Sequence, residues 1–189
     1  MNKDVQRILI AGEGGQGVQR IAHAFTHAAF NTGFHVLYLP NYGVEQRGGV
    51  SLGFLQYGKG EIGFPKFSIA DIMVVLCSRA VERTKQYVSD DTIYIYDNEL
   101  IKSSEIADIS AQKIAVSATK IANEKLTPKA FNMILAGALL SETEELTIKS
   151  LEEALEIDFK DKYKEKPQLR SFNKRALELG YKLAKNAYK

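Results

Sequence analysis

The sequence has 189 residues, of which 45% are hydrophobic and 25% charged; these values are typical of a globular protein and exclude the disordered and membrane classes. No leader-like stretch or uninterrupted apolar run of about 20 residues is present, so we expect a cytoplasmic protein folded as one α/β domain over residues 1–189. The single cysteine excludes an internal disulfide and a self-contained iron–sulfur cluster, and no nucleic-acid motif accompanies the net charge of +2.

The first predicted elements are a buried strand at residues 7–11, a glycine block at residues 12–17 and an amphipathic helix that ends near Gly33. The block has the Gly-x-Gly-x-x-Gly spacing, which permits a tight turn from strand to helix and directs backbone N–H groups at an anion. We therefore predict that an anionic ligand is bound by the residues of this block: Gly12, Gly14, Gly15, Gln16 and Gly17.

The second predicted strand, residues 35–39, argues against a nicotinamide cofactor. Dinucleotide sites of that type need a carboxylate at the end of this strand, about 20 residues after the glycines, to bind the ribose. Here the strand ends in Pro40 and Asn41. A nucleotide-dependent enzyme therefore remains the less favoured alternative.

A second glycine block follows at residues 42–49. In it the fixed cation Arg47 follows Glu45 and precedes Gly48 and Gly49, which relax the backbone. Because both blocks follow strands of one sheet, we expect these four residues to face the same anion as the first block. The alternative is a structural loop in which Arg47 pairs with Glu45.

The middle of the chain predicts a doubly wound sheet. Residues 50–57 read as a strand, residues 58–60 as its turn and residues 61–64 as a short return strand of a hairpin. Further strands are predicted at residues 69–76, 93–96 and 113–116, with a helix at residues 81–88. This alternation favours three layers, with a mostly parallel sheet between helices on both faces.

The last third is predicted to be helical, with helices after Pro128, after Thr147 and from Leu169. Residues 160–189 hold ten basic and three acidic residues, a net charge of +7, which leaves −5 for the remainder. This segment either attracts an acidic partner or anionic ligand, or is a solvated helix face.

Candidates for catalytic or metal chemistry are weak. His23 and His27 have the spacing of helical zinc ligands, but no His-Glu-x-x-His motif accompanies them, and we predict no metal site. Cys77 closes an apolar run without a neighbouring histidine or aspartate, so a buried thiol is favoured over a nucleophile. We predict no catalytic residue in this chain.

Four segments together resemble the gamma subunit of 2-oxoacid:ferredoxin oxidoreductases. They are residues 12–18, 41–49, 62–66 and 70–71, and the resemblance extends over about residues 6–185. The form of residues 42–45 is closer to the 2-oxoglutarate type than to the indolepyruvate type.

The resemblance implies a subunit that is inactive alone and completes a cytoplasmic, multisubunit enzyme. Such enzymes convert a 2-oxoacid, here 2-oxoglutarate or pyruvate, to an acyl-CoA and pass electrons to ferredoxin. It further implies that thiamine diphosphate, magnesium and iron–sulfur clusters lie in the alpha, beta and possible delta partner subunits. None of these cofactors is expected on this chain alone, which would border the path of coenzyme A. A free-standing regulatory binding domain is the other alternative.

Overall fold

A computed structural model describes residues 4–42 and 49–187. Its strands are β1 (Val5–Glu13), β2 (His35–Asn41), β3 (Val50–Gly58), β4 (Ile72–Val75), β5 (Ile93–Asp97) and β6 (Gln112–Val116). Its helices are α1 (Val18–Asn31), α2 (Ser78–Thr84), α3 (Ala118–Lys125), α4 (Phe131–Ser141), α5 (Ile148–Asp158), α6 (Lys160–Glu165) and α7 (Gln168–Asn186). Three 3-10 turns accompany them, at Lys85–Tyr87, Ser103–Ile106 and Pro128–Ala130. None of the described helices is long and apolar enough to cross a membrane.

The strands form one sheet in the order β2-β3-β1-β4-β5-β6. β1, β4, β5 and β6 are parallel neighbours, whereas β3 lies antiparallel between β1 and β2. Five of the six strands therefore point the same way, which confirms the predicted α/β fold with a mostly parallel sheet.

The predicted return strand at residues 61–64 is wrong, because this segment forms no strand. Both edges of β3 are already occupied: Leu55 lies opposite Ile8 of β1 and opposite Tyr38 of β2. A return strand would have no free edge of β3 to pair with. The segment is held to β3 by a side chain instead, since the amide of Gln56 donates to the carbonyl of Phe64. The antiparallel partner reached through the second glycine block is β2.

Alternate residues of the strands build two separate cores. In β1, Ile8 and Ile10 face one core, and Leu9 and Ala11 face the other. The first core is covered by α1, α3, α4, α5 and α7, and the second by α2 and the 3-10 turns at Lys85–Tyr87 and Ser103–Ile106. This arrangement confirms the prediction of three layers with helices on both faces.

Helix α4 lies inside the first core and is buried from Asn132 to Ser141. Its contact with α7 depends on two glycines. A Cβ added to Gly137 would lie 2.1 Å from the carbonyl oxygen of Leu177, and one added to Gly180 would lie 1.8 Å from that of Ile134. Two backbones can approach this closely only where neither residue at the crossing has a side chain.

Candidate functional site

The carboxyl ends of β1 and β4 form the point where the sheet reverses its winding. From β1 the chain passes through α1 to β2 on one side of the sheet, and from β4 through α2 to β5 on the other. Helices α1 and α2 pack on opposite faces. Open α/β sheets bind ligands in the crevice that such a reversal leaves at the strand ends.

The first glycine block forms the turn at this crevice. Its backbone takes the left-handed conformation at Gly15 (φ 96°) and at Gly17 (φ 90°), directly before α1. Two hydrogen bonds between Gln16 and Glu13 close the turn. The side-chain oxygen of Gln16 accepts the backbone N–H of Glu13 at 2.7 Å, and the backbone N–H of Gln16 donates to the carbonyl of Glu13 at 3.1 Å. The side chain of Gln16 therefore shapes the turn.

The glycines of the block have different surroundings. A Cβ at Gly12 would meet the side chains of Gln16, Val18 and Leu76 at 2.8–3.0 Å, so Gly12 is needed for packing. Gly14 and Gly15 are exposed, and no atom of residues 4–42 or 49–187 lies within 4 Å of the place where a side chain would begin. These described residues leave the Gly14–Gly15 end of the turn open to a ligand.

Helix α1 begins beside this open backbone without a side-chain cap, because its N-cap is Gly17. The N–H groups of a first helical turn have no partners inside the helix, and the helix dipole adds partial positive charge there. An uncapped N-terminus at the strand ends therefore suits a phosphate or a carboxylate.

The side chains of Asn132 and Gln19 hold the turn in place. The sequence alone did not predict this role for either residue. The Nδ2 of Asn132, near the start of α4, donates to the carbonyl of Gln16 at 3.0 Å. In the first turn of α1, the side-chain amide of Gln19 donates to the hydroxyl of Ser51 at 2.7 Å and accepts a hydrogen bond from the hydroxyl of Tyr38. Burial raises the pKa of the Tyr38 hydroxyl to about 12. A buried amide in the otherwise apolar α4 was the available signal for Asn132.

The second glycine block reaches the first at its last residue. The carbonyl of Gly49 accepts the N–H of Gly14 at 3.2 Å, so Gly49 lies against the turn, and its contact with an anion stays a prediction. Glu45, Arg47 and Gly48 lie outside the described residues, and their facing the same anion stays a prediction.

The other candidates have structural surroundings. Cys77 is 7% exposed, and burial raises the pKa of its thiol, which supports the buried-thiol interpretation. His27 pairs with Asp158 at 2.8 Å, and the ring of His23 packs edge-on against Tyr38. Within residues 4–42 and 49–187, no three His, Cys, Asp or Glu side chains are grouped as metal ligands.

The chain matches the family described as pyruvate ferredoxin/flavodoxin oxidoreductase over residues 7–183. It belongs to that family. The 2-oxoglutarate synthase subunit KorC of Methanocaldococcus jannaschii is 28% identical over 182 residues, which cover 95% of this chain and 94% of KorC. The ketoisovalerate oxidoreductase subunit VorA of Methanothermobacter thermautotrophicus is 29% identical over 180 residues. That match covers 95% of this chain but only 36% of VorA.

The fold also matches that of a solved structure. The gamma subunit of a keto/oxoacid ferredoxin oxidoreductase from Geobacter sulfurreducens superposes with a TM-score of 0.82 and 19% identity, over 98% of this chain and 99% of that one. Membership of the pyruvate ferredoxin/flavodoxin oxidoreductase family supports the gamma-subunit interpretation of the sequence over both alternatives, the nucleotide-dependent enzyme and the free-standing regulatory domain.

A cavity of about 570 Å³ lies at the end of the sheet opposite the glycine turn. It opens at the amino ends of β1, β4 and β5, and we call it the acidic groove. Its lining includes Lys59 and six carboxylates: Asp4, Asp71, Asp91, Glu142, Glu144 and Glu145. An anionic ligand is therefore favoured at the glycine turn and disfavoured here.

Proposed function

We propose that this chain is the gamma subunit of a multisubunit 2-oxoacid:ferredoxin oxidoreductase. The observation that carries the proposal is the family match over residues 7–183, together with a relative, KorC, of nearly the same extent. The enzyme would act on 2-oxoglutarate or pyruvate, form the acyl-CoA and reduce ferredoxin. Its remaining subunits, alpha and beta together with a delta subunit where the complex has one, would hold thiamine diphosphate, magnesium and the iron–sulfur clusters.

The glycine turn supports a role for this chain beside coenzyme A, whose thiol accepts the acyl group. The phosphates of coenzyme A are anionic, and the turn offers them the exposed backbone of Gly15 and the uncapped end of α1, whereas the N–H of Gly14 is already donated to Gly49. Gly12, Gln16 and Gly17 would shape this surface. Gly49 adjoins it, and Glu45, Arg47 and Gly48 precede Gly49 in the chain.

The first test is reconstitution. The purified chain with thiamine diphosphate, coenzyme A, a 2-oxoacid and a dye acceptor is expected to show no turnover, since one cysteine cannot hold a cluster. Turnover is expected once the thiamine-binding and cluster-binding subunits of the same organism are added, assayed separately with 2-oxoglutarate and with pyruvate. Activity of the chain alone, or no association with those subunits, would contradict the proposal.

The second test concerns Arg47. Arg47→Ala is expected to weaken coenzyme A use or subunit association roughly tenfold or more, because a lost charge-assisted pair costs about 2 kcal/mol. Arg47→Lys keeps the charge but loses the planar fork, so it should also impair the complex if the contact is bidentate. Arg175→Ala, an exposed site on α7, is the control. If the Arg47→Ala complex assembles normally with unchanged KM for coenzyme A, the second block is only a structural loop.

A further inference from the structure

A second cavity, of about 350 Å³, lies next to the glycine turn on its α4 side. It is bounded by the first turn of α1, the start of α4, helix α6 and the start of α7, and we call it the basic groove. Asn132 joins it to the turn, because this residue both lines the groove and donates to Gln16. Four cations line the basic groove: Arg20, Lys129, Lys162 and Lys166.

These four cations have no carboxylate partner among the described residues. Of the residues that the structure describes, Glu165 is the one acidic residue in the lining. Neighbouring cations on α7 are paired, since Arg170 binds Glu156 through two nitrogens and Lys174 lies 3.1 Å from Glu152. The described lining of the basic groove therefore carries a net charge of +3, from four cations and one carboxylate, and its cations are not paired as those of the surface beside it are.

The floor of the groove is apolar. It is formed by Met133, which is buried, and by the half-buried side chains of Phe159, Leu169 and Phe172. The guanidinium carbon of Arg20 and the ammonium nitrogen of Lys162 lie 5.5 and 5.6 Å from the centre of the Phe159 ring, so both charges lie over this apolar floor. An occupant must therefore combine negative charge with an apolar side chain.

The exposure of the rim favours a segment of protein over a small molecule. Sites for small molecules enclose their ligand and orient it with a few buried polar groups. All four cations of this rim are exposed, and three of them are lysines, whose flexible side chains meet an acidic surface well but fix a small anion poorly.

We propose that the basic groove binds an acidic segment of another subunit of the oxidoreductase complex, with an apolar side chain of that segment on the floor. This inference rests on the function proposed above. The acidic segment pairs with part of the surplus positive charge in residues 160–189, and the glycine turn remains free to bind its own anion.

The test compares two charge-reversed variants in the reconstituted complex. Lys162→Glu with Lys166→Glu reverses the rim, and Lys182→Glu with Lys185→Glu makes the same change of charge on α7, outside the lining. At 0.1 M salt the rim variant is expected to bind the partner subunits roughly tenfold or more weakly, and the control variant within about twofold of the wild type. Raising the salt to 1 M shortens the screening length from about 10 Å to about 3 Å. The wild type, the rim variant and the control variant should then bind the partner subunits with similar affinity.

A photo-crosslinking amino acid at position 166 of the intact complex identifies the occupant. The expected product joins this chain to a partner peptide rich in aspartate and glutamate. An intact complex without a crosslink, a crosslink to a peptide without acidic residues, or a rim variant that binds like the wild type would overturn the inference while leaving the proposed function standing. If the wild-type chain and both variants all fail to bind, the proposed function fails as well.

A titration of the isolated chain with ADP and with inorganic phosphate covers the small-molecule outcome. No saturable binding at the rim is expected. Saturable binding that the rim variant loses and the control variant keeps would assign the groove to a phosphorylated small molecule and overturn the inference. Thermal melts of both variants establish that each is folded.

Discussion

At the scale of single residues, Gly17 and Asn132 together fix the position of the glycine turn. Gly17 has a φ of 90°, and the space where its Cβ would stand is filled by the amide that Asn132 directs at the carbonyl of Gln16. That amide nitrogen would lie 2.2 Å from the added atom. The turn therefore tolerates no side chain at Gly17 for two independent reasons, backbone conformation and space.

Gly17→Ala is expected to destabilise the protein by about 2–3 kcal/mol. Left-handed backbone costs a residue with a Cβ about 1–2 kcal/mol, and loss of the Asn132 hydrogen bond adds about 1 kcal/mol. In a protein of this size the melting temperature should fall by roughly 5–10 °C, which calorimetry can measure.

The matched control is Gly14→Ala, where φ is not positive and the space is open. Its melting temperature should stay within about 2 °C of the wild type. In an Asn132→Ala background, Gly17→Ala should cost less than in the wild type, because the clash is gone. Equal costs in both backgrounds would mean that Asn132 does not restrict this position.

Cys77 is expected to react slowly with iodoacetamide. Burial raises the pKa of its thiol, so at pH 8 the native protein holds less thiolate than a free cysteine would. Unfolding in urea should restore the normal rate. The neutral thiol contributes to the stability of the folded protein below the pKa of an unfolded cysteine, about 8.5. Above that pH the thiol ionises first in the unfolded state, and the contribution is lost as the pH rises through the raised native pKa. Rapid native-state alkylation at pH 7 would instead favour the nucleophile interpretation.

The turn could be predicted from the sequence, whereas its supports could not. The spacing of Gly12, Gly14 and Gly17 after an apolar run is a local signal for a strand, a tight turn and a helix. The hydrogen bond from Asn132 to Gln16 joins residues 116 positions apart, and no local pattern reports such a contact. The role of Arg47 stays a prediction from its residue type and position.

At the scale of elements, the backbones of α4 and α7 cross in close contact at Gly137 and Gly180. Gly180→Ala is expected to destabilise the protein by about 3 kcal/mol, because a Cβ at this position would lie 1.8 Å from the carbonyl of Ile134 and the helices would have to separate. Urea unfolding followed by circular dichroism measures the loss.

Gly63→Ala, in a loop with no atom within 4 Å of the added Cβ, is the control and should change stability by less than about 0.5 kcal/mol. A Gly180→Ala variant as stable as this control would show that the helices part without cost.

Most elements could be predicted because their signals are local. The apolar runs of β4 and β5 are strands buried on both faces, and the Thr147 side chain accepts the N–H of Ser150 at the start of α5. The segment at residues 61–64 resembles a strand equally well in sequence. Whether a strand forms there depends on a free edge, and β1 and β2 leave β3 none.

At the scale of the whole molecule, α4 connects two ends of opposite charge. Its start lines the basic groove, and Glu142, Glu144 and Glu145 beyond its end line the acidic groove. An 11-residue helix is about 16 Å long, so the two grooves are separated by more than the screening length of physiological salt. The dipole of α4 has the same direction as this separation of charge.

The separation of charge gives the molecule a permanent electric dipole moment along α4. In the field of a charged partner such a body experiences a torque, which favours encounters through the end whose charge is opposite to that of the partner. Repulsion disfavours the reversed encounter, and added salt weakens both effects.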